Sequence, residues 1–514
     1  MNLSQFFDHW KITENPFRGE EARHDAVFTR MSFDVPDSPD GGSVHSDFEK
    51  ILGDMTRPST AVVFGEKGSG KTAIRMQIAG RAAAHNNSEQ GKNNRIFLIS
   101  YDDLNGYLDR MHDLTGKDDP LETFQKIRLV DHMDAMLSLG VTRLTDVALG
   151  AADDETKAAL GPEVGKRLRQ ASRSAKRDLL ALQAVYDRHE SAGDRTTILR
   201  RRLRLPIPRG VALSKGLAYA GWLLPAAVLG LALGFEGFEA GPVWQYAFLA
   251  CLGLYLIALI KRLAWDVLSA RALARKVRRA IRIIPRGRAS WAQSLEQLDT
   301  VQRAAAVYET SGNDEDRYAM LARLRRVLSG IGFGGILVVV DRVDEPTLVS
   351  GDAERMRAIV WPMFNNKFLQ QEGLGVKMLL PIELRFALFK ESNAFFQEAR
   401  LDKQNLVERL TWTGAMLYDL CNARLRACLA EGSGELSLLD LFAEDVSRQD
   451  LVDALNEMHQ PRDAFKFVYR CLTEHCSNVT TDQNDMRIPR LVLEQIRKAE
   501  SDRVQQLYRG IRPA

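Results

Sequence analysis

Eight consecutive residues are the first place where chemistry can be read: Gly65-Glu66-Lys67-Gly68-Ser69-Gly70-Lys71-Thr72. Gly65, Gly68, Ser69 and Gly70 let the backbone curl so that successive N–H groups point at one anion. A helix that follows adds the partial positive charge of its N-terminus. Lys71 is then placed to bridge neighbouring phosphates. The Thr72 hydroxyl is placed to ligate Mg²⁺, an ion that keeps several waters and takes few protein oxygens. The pattern gains weight from its setting. Thr60 to Phe64 reads as a short buried strand, and Ala73 to Ala84 as a helix whose apolar face is Ile74, Met76, Ile78 and Ala79.

A second element completes the chemistry. Gly335 to Val340 reads as a buried strand that ends in Asp341. A carboxylate there, paired with the glycine-rich loop, would hold Mg²⁺ alongside Thr72. The residue after the metal carboxylate is often the glutamate that orients attacking water, but here it is Arg342. That role falls to Asp344 or Glu345, unless both merely cap the next turn. Asn366-Lys367 is followed by Phe368-Leu369, so the guanine-reading Asn-Lys-x-Asp pattern is missing and ATP is preferred over GTP.

These residues need an α/β scaffold. Arg95–Tyr101 and Gly375–Leu380 read as further buried strands, and Leu406–Thr413 as a fifth. Residues 105–330 read as nearly all helical, as does the chain after Ala415. The predicted fold is a parallel sheet flanked by helices, carrying a large helical insertion and a C-terminal helical lid. The segments are 1–105 and 331–413 for the two halves of the core, 106–330 for the insertion and 414–514 for the lid. Pro36 to Gly42 is turn-rich.

The 514 residues are 45% hydrophobic and 27% charged, enough for two or three globular domains, and the net charge is only +3. The five cysteines are too scattered for a disulfide framework and fit a reducing cytosol. Cys471, His475 and Cys476 lie close together without a matching second pair, so they read as helix packing rather than a metal site. The first residues lack the basic-then-apolar order of a signal peptide.

Two runs inside the insertion stand apart. Gly216 to Phe235 is 20 residues without a charge, and Val243 to Ile260 is 18. Each matches a helix crossing a hydrocarbon core of about 30 Å. The link from Glu236 to Pro242 holds two acids. Before the first run stand Arg195, Arg200, Arg201, Arg202, Arg204, Arg209 and Lys215. After the second comes a comparable basic block from Lys261 to Arg288. The positive-inside rule puts both basic flanks in the cytoplasm and the link outside. Trp222, Trp244 and Trp265 lie towards the ends of the runs, as interfacial aromatics do. The basic flanks suit anionic lipid headgroups.

At this point the chain resembles the AAA+/STAND-type P-loop ATPases, in particular bacterial relatives of the origin-recognition ATPases and the KAP NTPases, over about residues 10–105 and 315–500. Asn15-Pro16-Phe17 is similar to an element that helps form the adenine pocket in such proteins. Asp341 to Glu345 resembles an extended Walker B motif. Gln460-Pro461-Arg462-Asp463 resembles the start of the sensor-2 helix, which implies that Arg462 reaches the γ-phosphate. Glu383 lies near the position of the sensor-1 polar residue, and Arg385 and Arg400 are the candidates for an arginine finger. KAP NTPases carry membrane helices between Walker A and Walker B, and here Lys71 and Asp341 are 270 positions apart. The chain departs from the pattern at Arg342, in lacking a clear Asn, Ser or Thr at sensor 1, and in lacking the Asp-Asp-h-Asp-Arg run of KAP proteins.

The resemblance implies an ATP- and Mg²⁺-dependent hydrolase of the bacterial cytoplasmic membrane. It would act as a nucleotide-controlled switch or assembly platform, as a homo-oligomer with a protein effector, in a setting such as anti-phage defence. Two other readings compete. A nucleic-acid-dependent motor or loader would use the arginine blocks on phosphates, but those blocks flank apolar spans and the C-terminal region has no obvious winged-helix signature. An ATP-gated pore would need many copies, because neither span holds an ionisable group.

Overall fold

The computed structural model describes residues 1–18, 22–31, 45–116, 118–161, 163–235, 241–306, 314–479 and 485–508. The turn-rich Pro36–Gly42 stretch and most of the acidic link, residues 236–240, lie outside the described residues. The chain divides into two compact units, one formed by Met1–Leu104 with Gly335–Ala514, the other by Asn105–Gly334.

The first unit is built on five strands: β1 (Ala61–Gly65), β2 (Arg95–Tyr101), β3 (Phe333–Val340), β4 (Leu374–Pro381) and β5 (Asn405–Val407). They form a parallel sheet in the order β2-β3-β4-β1-β5. β1 and β4 are buried along their whole length, as the mainly apolar inner strands of a parallel sheet are, although β4 also buries Lys377. β5 is only three residues long. The apolar residues expected to extend it instead leave the ladder, and Leu410 closes on β1 through its N–H to the Phe64 carbonyl at 2.8 Å.

Helix Lys71–Asn87 follows β1 directly and lays Ile74 and Ile78 on the sheet against Val63, Leu98 and Val339. A second core joins the N-terminal residues Phe6, Phe7, Ile12 and Phe17 to the helices Gly414–Ala427, Arg448–Asn456 and Pro461–Asn478. The start of the chain thus packs with its end.

The sheet order decides where a ligand can enter. From β1 the chain crosses to β2 on one side, whereas from β4 it crosses to β5 on the other. Connections that diverge in this way leave a crevice beyond the carboxyl ends of the two strands. Gly65 and Pro381 are register partners at that edge, so the 65–72 loop opens into it.

The second unit is helical. Its long helix Leu129–Leu149 is buried on nearly all sides and carries two buried carboxylates. Asp131 pairs with Arg282 at 2.6 Å. Asp134 pairs with Arg317 at 3.2 Å and accepts from the Tyr186 hydroxyl at 3.1 Å.

Among the described residues two helices of this unit are long and apolar enough to cross a membrane: Gly216–Gly234, of 19 residues, and Pro242–Ala280, of 39 residues. Leu223–Phe235 and Pro242–Ile260 pack against each other. Their large apolar side chains point outward, with Val243 77% and Leu254 66% exposed. The first helix is interrupted at Gly221–Trp222. Pro225 explains the break, because it has no N–H for the Gly221 carbonyl and its ring presses on that group. The carbonyl accepts from Leu224 N instead, at 3.1 Å. The second helix does not stop at Ile260 but runs on through a π-helical turn, Lys261–Asp266.

Burial pushes the Asp134 carboxyl up to about 6, with Arg317 opposing. Arg317→Met would strand that carboxylate, at a cost of about 3–5 kcal/mol, read as faster hydrogen exchange in Leu129–Leu149. A carboxyl held above its unfolded value favours folding at low pH and loses that contribution as pH rises through its folded value. Without Arg317 that value rises further, so the penalty should shrink as pH is lowered towards 6 and level off below it, and a pH-independent penalty would contradict this account.

Candidate functional site

The 65–72 loop is shaped by two left-handed glycines, Gly68 and Gly70, both at φ +93°. A side chain at Gly68 would also meet Gln460 Oε1 at 3.0 Å and Arg462 Cβ at 3.1 Å. The loop tip is held by its neighbours. Glu66 pairs with Arg409 at 2.5 Å and accepts from the Gln460 amide. Trp412 donates its indole N–H to the Ser69 carbonyl at 2.9 Å, a bond worth about 1 kcal/mol net. The Ser69 hydroxyl is buried without a hydrogen-bond partner.

Lys71 and Thr72 open the helix. The Lys71 ammonium is turned onto the loop's own carbonyls, donating to Gly65 at 2.8 Å and Glu66 at 2.9 Å. The Thr72 hydroxyl donates to Asp341 Oδ2 at 3.2 Å. Asp341 stands one residue past β3, is 1% exposed, and donates its own N–H to the Tyr101 carbonyl of β2 at 3.3 Å. The structure thus brings together the two motifs that the sequence separates.

Burial dominates the electrostatics of Lys71 and Asp341. Burial pushes the Lys71 ammonium below its ordinary value, while the carboxylates of Asp344, Asp341, Glu383 and Glu66 oppose. Burial pushes the Asp341 carboxyl up, opposed by Arg75, Lys71, the Arg342 N–H and the Thr72 hydroxyl. Arg75 was not singled out in the sequence. Its Nε lies 3.3 Å from Asp341 Oδ2, and its Nη1 lies 2.9 Å from Asp102, which also pairs with Arg23 at 2.9 Å. Its only signal in the sequence is spacing: it follows Lys71 by four residues and Thr72 by three, so it shares their helix face.

The remaining residues fall into distinct surroundings. Arg342 sits at φ +60° and pairs with Glu345. Asp344 instead faces Lys71 closely enough to be the leading charge that opposes its desolvation. Of the two acids, Asp344 is the one brought to the lysine. Arg462, in the first turn of Pro461–Asn478, packs on Gly68. Arg385 pairs with Glu408 at 2.8 Å and stacks over Phe389, while Arg400 lies past the end of Asn393–Ala399. Phe17 is 1% exposed and rests near Phe465. Asn15 accepts from Phe17 N at 2.9 Å, and the Pro16 carbonyl accepts from Arg424 at 2.6 Å. Phe17 thus anchors the N-terminal segment onto the helix Pro461–Asn478, and Pro16 anchors it onto Gly414–Ala427. A cleft of about 380 Å³ beside the loop is lined by Glu66, Leu410, Trp412 and Gln460, among others.

His475 Nε2 donates to the Asp485 carbonyl at 3.1 Å, and Cys471 is fully buried in the helical core. Among the described residues no group of three or more His, Cys, Asp or Glu side chains is arranged to hold a metal by itself. A divalent cation between Thr72 and Asp341 would therefore need waters or a ligand's own oxygens. That is the manner in which Mg²⁺ is ordinarily bound. The orphaned Ser69 hydroxyl, the two left-handed glycines and the Thr72–Asp341 pair fit a phosphate with such an ion.

No protein-family model matches the chain, and no curated protein and no solved structure matches it.

Gly68→Ala would force a side chain into a left-handed position against Gln460 and Arg462. It should cost about 1–3 kcal/mol in denaturant titration. Gly106→Ala, with nothing within 4 Å, should cost less than Gly68→Ala. Equal effects would mean that the loop is not held against the 460–462 turn.

Proposed function

We propose that the chain is a membrane-anchored P-loop ATPase. The observation that carries this reading is the 3.2 Å contact between Thr72 and Asp341. A hydroxyl and a carboxylate far apart in sequence share the mouth of one sheet crevice, beside a glycine loop and a buried lysine. That set of groups suits a nucleoside triphosphate with Mg²⁺. The loop N–H groups and Lys71 would hold the phosphates, and Thr72 and Asp341 the ion, which supplies charge neutralisation on the phosphates.

The chain's own residues carry the rest. Lys71 leaves the Gly65 and Glu66 carbonyls when an anion offers it better partners. Arg75 keeps Asp341 compensated until a cation does so. Asp344 orients the attacking water, because Glu345 is engaged by Arg342. Arg462 senses the loop through Gly68 and couples the C-terminal helices, as a lid, to the bound nucleotide. The resemblance to AAA+/STAND-type and KAP ATPases agrees with this division of roles, and the asymmetric basic flanks favour a bacterial cytoplasmic membrane with the ATPase unit inside.

Lys71→Ala should lower nucleotide affinity at least tenfold in equilibrium binding. Asp341→Asn should leave Mg²⁺-free binding intact and abolish the added affinity conferred by Mg²⁺. If Lys71→Ala binds ATP as the wild type does, the reading fails. The membrane part is tested separately. The full chain should resist carbonate extraction, and deletion of residues 216–260 should release it. A wild-type chain found in the soluble fraction would sink the anchor.

A further inference from the structure

The second unit contains a cleft of about 840 Å³ that the ATPase reading does not use. One wall is Leu205–Pro208, the segment that leads into the first apolar helix. Another runs from Lys261 to Ser269, immediately after the second apolar run ends at Ile260. The cleft therefore lies where the chain enters one span and leaves the other. Trp265 is 71% and Leu263 65% exposed beside it, as residues at a headgroup boundary are.

Its charge is one-sided. Arg173, Arg177, Arg200, Lys261, Arg262 and Arg303 line it, against Asp266 and Asp299. One of the six cations is paired with carboxylates, and another is engaged by three carbonyls. Arg262 pairs with Glu296 and Asp266, and Arg303 donates to the carbonyls of Leu295, Glu296 and Leu298. Among the described residues no carboxylate is paired with Arg173, Arg177, Arg200 or Lys261.

Arg200 is the most telling of these. It is 6% exposed, its Nη1 donates to the Pro206 carbonyl at 2.7 Å and its Nη2 to the Gln297 carbonyl, and its Nε has no partner. Burial lowers its pKa, with Asp299 opposing. A desolvated guanidinium with an unused N–H is costly unless an anion completes it. The apolar part of the lining, Leu180, Leu205, Ile207 and Trp265, offers a surface to something other than a bare ion.

We propose that this cleft binds the phosphate headgroup of an anionic phospholipid, with Arg200 at the floor and Arg177 and Lys261 at the rim. The proposal rests on the two apolar helices crossing a bilayer. A soluble phosphate shares the chemistry, but the apolar wall and the position at the ends of both spans favour the lipid. Basic pockets at the cytoplasmic ends of membrane helices recognise headgroups in this way.

The test uses the full chain purified in neutral detergent. Retention of phosphatidylglycerol and of phosphatidylcholine is measured by native mass spectrometry, with inorganic phosphate and a short DNA duplex as competitors. Phosphatidylglycerol should be retained at least tenfold over phosphatidylcholine. Arg200→Gln should abolish that preference. Arg177→Gln with Lys261→Gln, both at exposed positions, should reduce it without disturbing the fold. Arg177→Lys should largely keep it. Equal retention of the two lipids would overturn the proposal, as would a preference unchanged in all variants. Displacement by millimolar phosphate alone would identify a soluble-phosphate site. Displacement by DNA would identify a nucleic-acid site. Either would overturn the lipid assignment. Carbonate extraction separates the two levels: a chain that stays in the membrane but shows no lipid preference defeats the cleft alone, whereas an extractable chain defeats the anchor beneath it.

Discussion

The contact between Thr72 and Asp341 constrains everything else in the first unit. Thr72 follows β1, and Asp341 follows β3. For the two side chains to meet at 3.2 Å, both strands must end at the same edge of one sheet, with β4 between them. All of Asn105–Gly334 except its last two residues, which start β3, is carried in the single crossover from β2 to β3. A parallel crossover needs only a dozen or so residues. The rest of that connection is free to form its own core without disturbing the register. This is why an insertion larger than the sheet itself leaves the crevice intact.

Around that contact the charges compensate one another. An ion buried without a partner costs several kcal/mol. Lys71 meets this by turning onto two backbone carbonyls, and Asp341 by accepting from Thr72 and standing beside Arg75. Asp102 then fixes Arg75, and Arg23 fixes Asp102. The charges at the crevice are therefore tied to the N-terminal segment, which itself packs with the C-terminal helices. A change in the charge balance at Asp341 has a continuous route to the elements that hold Arg462.

Much of this was legible in the sequence, for definite reasons. β1 to β4 are mainly apolar runs, broken by Arg95 and Ser100 in β2 and Lys377 in β4, and buried parallel strands read that way. The glycine loop has fixed spacing, and Asp341 follows a strand. Other features depend on tertiary neighbours. Arg75 looks like any surface residue of a helix until Asp341 is brought to it. Glu345 and Asp344 are equivalent on paper, and only the left-handed turn at Arg342 separates their surroundings. The apolar residues after Val407 have strand character, but the chain leaves the ladder there so that Trp412 can bond the Ser69 carbonyl. The break at Gly221 was encoded by Pro225, four residues on, although the uncharged run conceals it.

The second apolar helix extends the same lesson to the other unit. At 39 residues it is about 58 Å long at 1.5 Å per residue, nearly twice the hydrocarbon thickness of a bilayer. Only its first half is apolar on all sides. In the second half Ala270, Ala274 and Val277 are buried at helical spacing, against Arg288–Glu296. The π-helical turn Lys261–Asp266 joins the halves. Such a turn rotates the helix face that follows it. One continuous rod thus changes from a lipid-compatible surface to a core-packing stripe within a few residues, at the place where the basic cleft opens. Composition alone ends the apolar run at Ile260. The small residues that follow let the helix continue as the structural link between the apolar run and the helical core.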